Sequence, residues 1–164
     1  MRAVAQRVSR ARVTVEGETI GAIEAGLLVY LGIGPEDGDR EVWWLTSKLA
    51  ELRIFPDEQG RFDRSVTDIS GSVLVVSQFT LYADTRKGRR PSFTDAAPPE
   101  VAAPLVERAM DALRDRGLHV EGGRFGAHML VEAVNDGPSR SCSTPATSIG
   151  LAGTDADCPE TVTQ

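Results

Sequence analysis

Cysteine and histidine are scarce in this chain, and their scarcity excludes several kinds of site. The 164 residues include two cysteines, Cys142 and Cys158, both within the last 23 positions. This placement offers neither a disulfide framework nor a cysteine metal cluster. The two histidines, His119 and His128, lie nine residues apart without cysteines nearby, which is a poor arrangement for binding a metal. We therefore expect no metal and no cofactor.

Long apolar runs are also absent. The longest, Leu27 to Leu31 and Val73 to Val76, are far shorter than the roughly 20 residues that a membrane-spanning helix needs. The N-terminal stretch has scattered arginines and lacks the basic, apolar and small-residue order of a secretion signal. These absences predict a cytoplasmic protein with no membrane partner.

Basic residues do not predominate. Eighteen Lys and Arg against 24 Asp and Glu give a formal net charge of −6, which disfavours extensive wrapping of nucleic acid. We expect no DNA partner, although a local basic patch is compatible with this charge. A chain of 164 residues suits one compact domain that buries about two-thirds of its unfolded surface.

Common nucleotide-binding and esterase motifs are missing. Gly32-Ile33-Gly34 follows an apolar run, but Asp37 stands where a dinucleotide fingerprint needs its third glycine. The sequence has no phosphate-binding Gly-Lys-Ser/Thr loop and no Gly-x-Ser-x-Gly nucleophile elbow. We therefore expect neither a bound dinucleotide nor an elbow-type serine nucleophile.

The spacing of apolar residues predicts an α+β domain, with helices on a mostly antiparallel sheet or open barrel. Glu16-Gly17-Glu18 is a predicted hairpin turn, and Asn135-Asp136-Gly137-Pro138 a predicted turn after the last strand. Pro104 either marks the true first turn of the second helix or kinks it. The predicted strands cover residues 3–15, 20–23, 27–31, 53–55, 72–81 and 127–133, and the predicted main helices cover 41–52 and about 99–116.

Two polar segments stand at predicted strand ends, where a scaffold can hold accessible groups rigidly. Ser77-Gln78-Phe79-Thr80-Leu81 interrupts the most apolar strand, and Asn135-Asp136-Gly137-Pro138 follows the last strand. Taken alone, the first is more typical of a strand that emerges into solvent, and the second is typical of an ordinary tight turn.

Together these two segments resemble the paired motifs of the D-aminoacyl-tRNA deacylases. The resemblance runs from Met1 to Pro138 with its elements in order, which makes it specific. Further similar segments are Gln6-Arg7-Val8, Arg12 to Gly17, Gly26-Leu27-Leu28, Tyr30-Leu31-Gly32, Arg53-Ile54-Phe55, Arg90-Pro91-Ser92-Phe93 and Gly123 to Ala127.

The resemblance implies hydrolysis of the ester that joins a D-amino acid, or glycine, to the terminal adenosine of tRNA, with rejection of L-aminoacyl-tRNA. It also implies a small α+β barrel that forms a homodimer. Gly137-Pro138, joined by a cis peptide bond, would enter the partner's pocket and occupy the space of an L side chain. Asn135, Met129 and Arg7 would complete this selection site, with Arg7 bracing the Gly-Pro segment; alone, Arg7 is equally typical of a solvated strand arginine.

Ser77, Gln78, Phe79 and Thr80 are the catalytic residues that the resemblance implies. Ester cleavage passes through an oxyanion, and the N–H groups near Gln78 and Phe79 are candidate donors to it. Thr80 as a nucleophile would need a base, and no histidine or lysine is close in sequence. This favours the family's other proposed mechanism, in which the 2′-hydroxyl of the substrate assists attack by water.

Two basic segments fit a tRNA acceptor end. Residues 1–15 carry four arginines and no acid, and residues 85–94 carry Arg86, Lys87, Arg89 and Arg90 without an acid. Phosphate contacts from such residues give salt-sensitive affinity that does not depend on sequence. A solvated loop is an equally good interpretation of the second segment.

The resemblance stops abruptly after Pro138. Family members continue with Val-Thr and a short apolar strand, whereas this chain has Ser139-Arg140-Ser141-Cys142-Ser143. We therefore expect a deacylase-like domain over residues 1–138 and a disordered tail over 139–164, from a shifted frame or a replaced C-terminus. One alternative is that Ser139 to Ser143 pair as a polar edge strand. Two further functional hypotheses are a catalytically impaired tRNA-binding homologue that lost its last strand, and a general esterase.

Overall fold

A computed structural model describes residues 1–86 and 88–143, and only the backbone of residues 138–142. None of the described helices is both long and apolar enough to cross a membrane. The elements in chain order are β1 (Arg2–Val15), β2 (Glu18–Ile23), β3 (Gly26–Gly32), α1 (Asp39–Glu51), β4 (Phe55–Pro56), β5 (Phe62–Arg64), β6 (Ser72–Ser77), a 3₁₀ helix (Phe79–Tyr82), α2 (Pro99–Arg114), β7 (His119–Gly122) and β8 (Leu130–Ser143).

One mixed, nearly closed sheet organises the domain. Its main path is β2-β1-β3-β6-β7, and β8 pairs with β1. Strand β1 is antiparallel to β2, β3 and β8, whereas β3–β6 and β6–β7 are parallel pairs. The predicted α+β class and the hairpin at Glu16-Gly17 are confirmed; both turn residues have positive φ, 52° and 85°, as a tight hairpin turn requires. The expected mostly antiparallel character holds for the pairs that β1 makes and for the separate two-stranded sheet of β4 and β5.

Strands β3 and β6 are buried on both faces, which explains their continuous apolar sequence. Leu27, Val29 and Leu31 pack in the larger core cluster with both helices, while Leu28 and Leu74 pack in a smaller cluster on the opposite face. The two strands approach closely at Gly26, where a Cβ atom would lie 1.9 Å from the Ser72 carbonyl oxygen.

Each helix packs one apolar side on the sheet. Helix α1 buries Val42, Leu45 and Leu49, and the Glu41 carboxylate accepts a hydrogen bond from the Gly38 N–H at its start, 3.0 Å. Helix α2 begins at Pro99 and continues through Pro104, so Pro104 does not mark the helix start. Proline is well suited to the first helical position because it has no N–H to leave unpaired.

Several predicted boundaries are wrong. The strand predicted over 72–81 ends at Ser77 and gives way to the 3₁₀ helix, and strand β7 was not predicted. The segment Asn135–Pro138 is part of β8 rather than a terminal turn. In each case sheet pairing, which is not visible in local sequence, decides the backbone conformation.

The chain continues as a strand beyond Pro138. Ser143 pairs with Ala3 and Arg140 with Gln6, so the expected disorder is wrong for residues 139–143, and the alternative of a polar edge strand is confirmed. Backbone hydrogen bonds to the free edge of β1 do not require apolar side chains. The predicted tail beyond Ser143 lies outside the described residues.

Candidate functional site

A largely apolar cavity of about 650 Å³ opens where β3 and β6 end. Parallel strands place their carboxyl ends at the same edge of a sheet, a common position for ligand sites. The cavity lies between the 3₁₀ helix, the start of α2 and the segment before β8. Its lining includes Leu31, Ile33, Val76, Ser77, Gln78, Phe79, Phe93, Pro98, Ala102, Phe125, His128, Met129 and Val131.

The predicted catalytic segment is held where the chain leaves the sheet. The N–H of Gln78 donates to the Leu31 carbonyl, 2.8 Å, and closes the β3–β6 pairing. The next residues wind into the 3₁₀ helix. Gly32 allows this close turn, since a Cβ atom there would lie 2.9 Å from the Gln78 carbonyl oxygen.

The oxyanion donors predicted near Gln78 need correction by one residue. The Gln78 N–H is engaged by Leu31 and is not available to a ligand. The N–H groups of Phe79 and Thr80 begin the 3₁₀ helix, so they have no acceptor within it. Among the described residues no backbone carbonyl accepts from them either. These two groups are therefore the candidate donors.

The Thr80 hydroxyl is not positioned like an activated nucleophile. It accepts a hydrogen bond from the side-chain amide of Gln78, and an amide nitrogen that donates cannot take up the hydroxyl proton. Within the described lining of the cavity, His128 is the one titratable side chain. The predicted Met129 is also in the lining; it packs on Gly123, where a Cβ atom would lie 2.5 Å from its sulfur.

Two aromatic residues of the cavity were not among the predicted site residues. Phe93 packs edge-to-face on Phe79, with ring centroids 5.0 Å apart, and Phe125 lines the cavity near Met129. Both belong to segments that resemble the family, Arg90 to Phe93 and Gly123 to Ala127. The resemblance of these segments to the family could have pointed to both residues. Phenylalanine side chains, however, have no acid, base or nucleophile that would mark them as site residues.

The predicted basic segment is a loop whose last residue directly precedes Phe93 of the cavity lining. Asp84 and Ser92 exchange backbone hydrogen bonds of 2.8 and 2.9 Å and close the loop one residue before Phe93. Arg86 donates side-chain and backbone hydrogen bonds to Asp84, and these lower the pKa of Asp84 to about 2. Arg89 and Arg90 are exposed. Lys87 lies outside the described residues.

Arg7, Asn135 and Gly137 form a second cluster. Arg7 is 7% exposed, so the solvated interpretation is wrong. Its guanidinium donates to the backbone carbonyls of Asp136, 3.1 Å, and Ile54, pairs with the Asp136 carboxylate, 3.1 Å, and lies 5.2 Å from the Phe62 ring centroid. These contacts hold Asp136, which precedes Gly137; a brace on Gly137-Pro138 itself stays a prediction.

The segment that Arg7 supports is not at the cavity of its own chain. Asn135 donates to the Gly137 carbonyl and accepts from Gln6, 3.3 Å, while Gly137 is exposed with φ 68°. Neither residue lines the cavity. The described residues contain no cis peptide bond, in contrast to the one expected between Gly137 and Pro138; here the backbone follows β8. The side chain of Pro138 lies outside the described part.

No cluster of metal-ligating side chains is found in the part of the chain that the structure describes. His119 lies in β7, 3.3 Å from the Glu121 carboxylate, and His128 is exposed at the cavity.

An apolar cavity beside N–H groups that have no acceptor among the described residues, on a small α+β barrel-like sheet, is suited to a ligand whose oxygen accepts hydrogen bonds. A family model described as D-Tyr-tRNA(Tyr) deacylase matches residues 4–143. This chain belongs to that family.

Individual relatives and solved structures support this family assignment. A protein of Roseiflexus sp. (strain RS-1) named D-aminoacyl-tRNA deacylase is 64% identical over 138 residues, which covers 84% of this chain and 89% of the relative. The solved structure of c-Myc DNA Unwinding Element Binding Protein is 42% identical with a TM-score of 0.83, covering 89% of this chain and all of that one. A probable eukaryotic D-amino acid tRNA deacylase, 17% identical with a TM-score of 0.77 over 87% of this chain and 97% of that one, shares the fold.

Replacement of Arg7 by lysine tests its bracing role. Lysine keeps the charge but not the planar fork that bonds two carbonyls. We expect the free energy of unfolding in urea to fall by about 2 kcal/mol, and amide exchange at Asn135 to Gly137 to accelerate. Arg53→Lys, in an exposed pair with Asp63, is the matched control and should change stability by about 0.5 kcal/mol or less. Equal effects of the two changes would contradict the bracing role.

Proposed function

We infer that this chain is a D-aminoacyl-tRNA deacylase, a hydrolase that releases free tRNA and a D-amino acid from their ester. The observation that carries this inference is the family match over residues 4–143, together with the cavity formed by Ser77, Gln78 and Phe79. The relative from Roseiflexus that bears this name covers most of both chains. We also propose that the protein works in the cytoplasm, because aminoacyl-tRNA is used there.

The chemistry rests on the main chain. Water adds to the ester carbonyl carbon and loses a proton, and the carbonyl oxygen becomes an oxyanion. The bond between the carbonyl carbon and the ribose oxygen then breaks, and the ribose oxygen takes a proton. The N–H groups of Phe79 and Thr80 would donate to the oxyanion. One such fixed donor commonly lowers the barrier by about 3 to 4 kcal/mol.

The proton that water loses needs an acceptor. The Thr80 hydroxyl has the Gln78 amide as its described partner, so we assign Thr80 no nucleophilic role. The 2′-hydroxyl of the terminal adenosine, adjacent to the ester in the substrate itself, is the group that assists attack. The protein then contributes placement and electrostatic stabilisation.

Selection against L-amino acids would come from a second subunit. Gly137 is exposed, its carbonyl accepts from Asn135, and Arg7 holds the preceding Asp136, yet Gly137 does not line its own cavity. Such a segment is suited to enter the cavity of a partner in a homodimer, with Gly137 and Pro138 in the space of an L side chain and Met129 on the cavity wall. Glycine has no side chain to be rejected, so glycyl-tRNA is also a substrate.

The basic loop would hold the acceptor end. Its ends adjoin Phe79 and Phe93 at the cavity, and Arg89 and Arg90 are exposed on it. Arg86 contributes less because it is paired with Asp84, and Lys87 is proposed from sequence alone. One solved relative is named for DNA binding, but the formal charge of −6 opposes wrapping of a duplex, and we propose tRNA.

A stereochemical assay tests the function. D-tyrosyl-tRNA, L-tyrosyl-tRNA and glycyl-tRNA are offered to the purified protein, with p-nitrophenyl acetate as a small activated ester. We expect rapid loss of the D and glycyl esters and survival of the L ester, because an L side chain has no space. Equal cleavage of both tyrosyl esters and of the small ester would indicate a general esterase. Binding without turnover would indicate a catalytically impaired homologue. That hypothesis assumed the loss of the last strand, whereas the structure has a strand there, β8.

Thr80→Ala separates the two mechanisms. The substitution removes the hydroxyl but keeps the N–H, so we expect the rate on D-tyrosyl-tRNA to stay within about tenfold of wild type. D-tyrosyl-tRNA ending in 2′-deoxyadenosine should instead react about 100-fold more slowly or worse, since general acid–base assistance is lost. Thr19→Ala, on the exposed hairpin strand β2, is the control. Complete loss of activity in Thr80→Ala, with normal activity in Thr19→Ala and on the 2′-deoxy substrate, would support Thr80 as the nucleophile.

The double change Arg89→Ala, Arg90→Ala tests the basic loop. Each lost phosphate contact should reduce the slope of log affinity against log salt by about 0.7 to 0.9. We expect weaker binding of all tRNAs alike, measured by filter binding between low and moderate salt. The matched control is Arg64→Ala, which breaks an exposed pair with Glu58. A slope equal to that of the control would remove the loop from the RNA interface.

A further inference from the structure

The far end of the 3₁₀ helix is held by side chains from three parts of the chain. Arg2, at the start of β1, donates to the Leu81 carbonyl, 2.9 Å, and its guanidinium lies 4.5 Å from the centre of the Tyr82 ring. The Tyr82 hydroxyl donates to the Asp37 carboxylate, 3.3 Å. These three side chains, Arg2, Asp37 and Tyr82, are called the brace below.

Asp37 ties the brace to the loop after β3. Its carboxylate accepts a hydrogen bond from the Gly34 N–H, 2.6 Å, and pairs with the ammonium group of Met1. Burial, and then the negative charge of Asp37, raise the pKa of Tyr82 above its usual value. The tyrosine hydroxyl therefore stays protonated and donates throughout the neutral range.

Tyr82 of the brace lies very close to the backbone at the end of β3. A Cβ atom at Gly34 would lie 2.8 Å from the Tyr82 hydroxyl oxygen, and one at Gly32 would lie 3.3 Å from the Tyr82 ring. A movement of Tyr82 would therefore be transmitted directly to this turn of backbone.

We propose that Arg2, Asp37 and Tyr82 are positioning residues that fix the Phe79 and Thr80 N–H groups for ester hydrolysis. The proposal rests on the proposed function for the role of those two groups. The near end of the helix is anchored by the Gln78 to Leu31 hydrogen bond, 2.8 Å. Without the brace the far end of the helix would lose these side-chain contacts. Displacements of about 1 Å at a reacting centre can cost up to about 100-fold in rate.

Single-turnover kinetics on D-tyrosyl-tRNA test the brace. Arg2→Ala should lower the rate constant about 10- to 100-fold with KM within about twofold of wild type, because donors are misplaced while substrate binding is retained. Arg2→Lys keeps a cation over the ring and should recover part of the rate. Tyr82→Phe, which keeps the stack and loses the hydroxyl, should be less impaired than Tyr82→Leu. Arg64→Ala is the control for loss of an exposed arginine pair.

A second measurement is independent of turnover. The Leu81 N–H donates to Gln78, 3.3 Å, and the Ala83 N–H to Thr80, 3.0 Å, within or just after the helix. Hydrogen exchange at both amides should accelerate in Arg2→Ala, while core amides of β3 exchange as in wild type. This holds even if wild type proves inactive on D-tyrosyl-tRNA, an outcome that would refute the proposed function instead.

Three results would overturn the proposal. A wild-type rate constant in Arg2→Ala would show that the brace is unnecessary. A raised KM with an unchanged rate constant would assign Arg2 to RNA binding. Unchanged exchange at Leu81 and Ala83 would show that the helix is held without these side chains.

Discussion

The hydrogen bond from the Gln78 N–H to the Leu31 carbonyl, 2.8 Å, is the contact on which the site depends. It ends the parallel pairing of two strands that are buried on both faces, and it turns the chain into a 3₁₀ helix within one residue. In the part of the chain that the structure describes, no backbone carbonyl accepts from the two N–H groups that follow. The core therefore fixes the donors: Leu27, Val29, Val73 and Val75 hold β3 and β6 in register, and the register places Gln78 beside Leu31.

Two arginines of β1 support two different parts of the backbone. Arg2 holds the far end of the 3₁₀ helix, and Arg7 holds the segment that precedes Pro138. Both donate to backbone carbonyls, which suits the planar guanidinium. The basic N-terminal segment has internal partners as well: Arg2 and Arg7 donate to backbone carbonyls, and Arg12 pairs with Glu132. A contact of this segment with tRNA stays a prediction.

Local sequence predicted the apolar strands and both long helices because their periodicity reflects burial. It did not predict the features that depend on hydrogen bonding between strands. Ser77 to Leu81 looks extended when read alone, and only the partner carbonyl of Leu31 shows where the strand stops. Ser139 to Ser143 looks unstructured because its side chains are polar, yet its backbone pairs with Ala3 to Gln6. Phe93 and Phe125 lie on loops, and loops have no periodic apolar pattern from which their position at the cavity could be predicted.

The central claim is that backbone N–H groups, rather than side chains, stabilise the reaction. The most direct test is to record amide chemical shifts while a phosphonate analogue of the tetrahedral intermediate, linked to adenosine and of D configuration, binds the protein. Strong hydrogen bonding to the phosphonate oxygen should move the Phe79 and Thr80 amide protons downfield and leave Gln78 in place. Binding of the analogue with both signals unmoved would contradict the account.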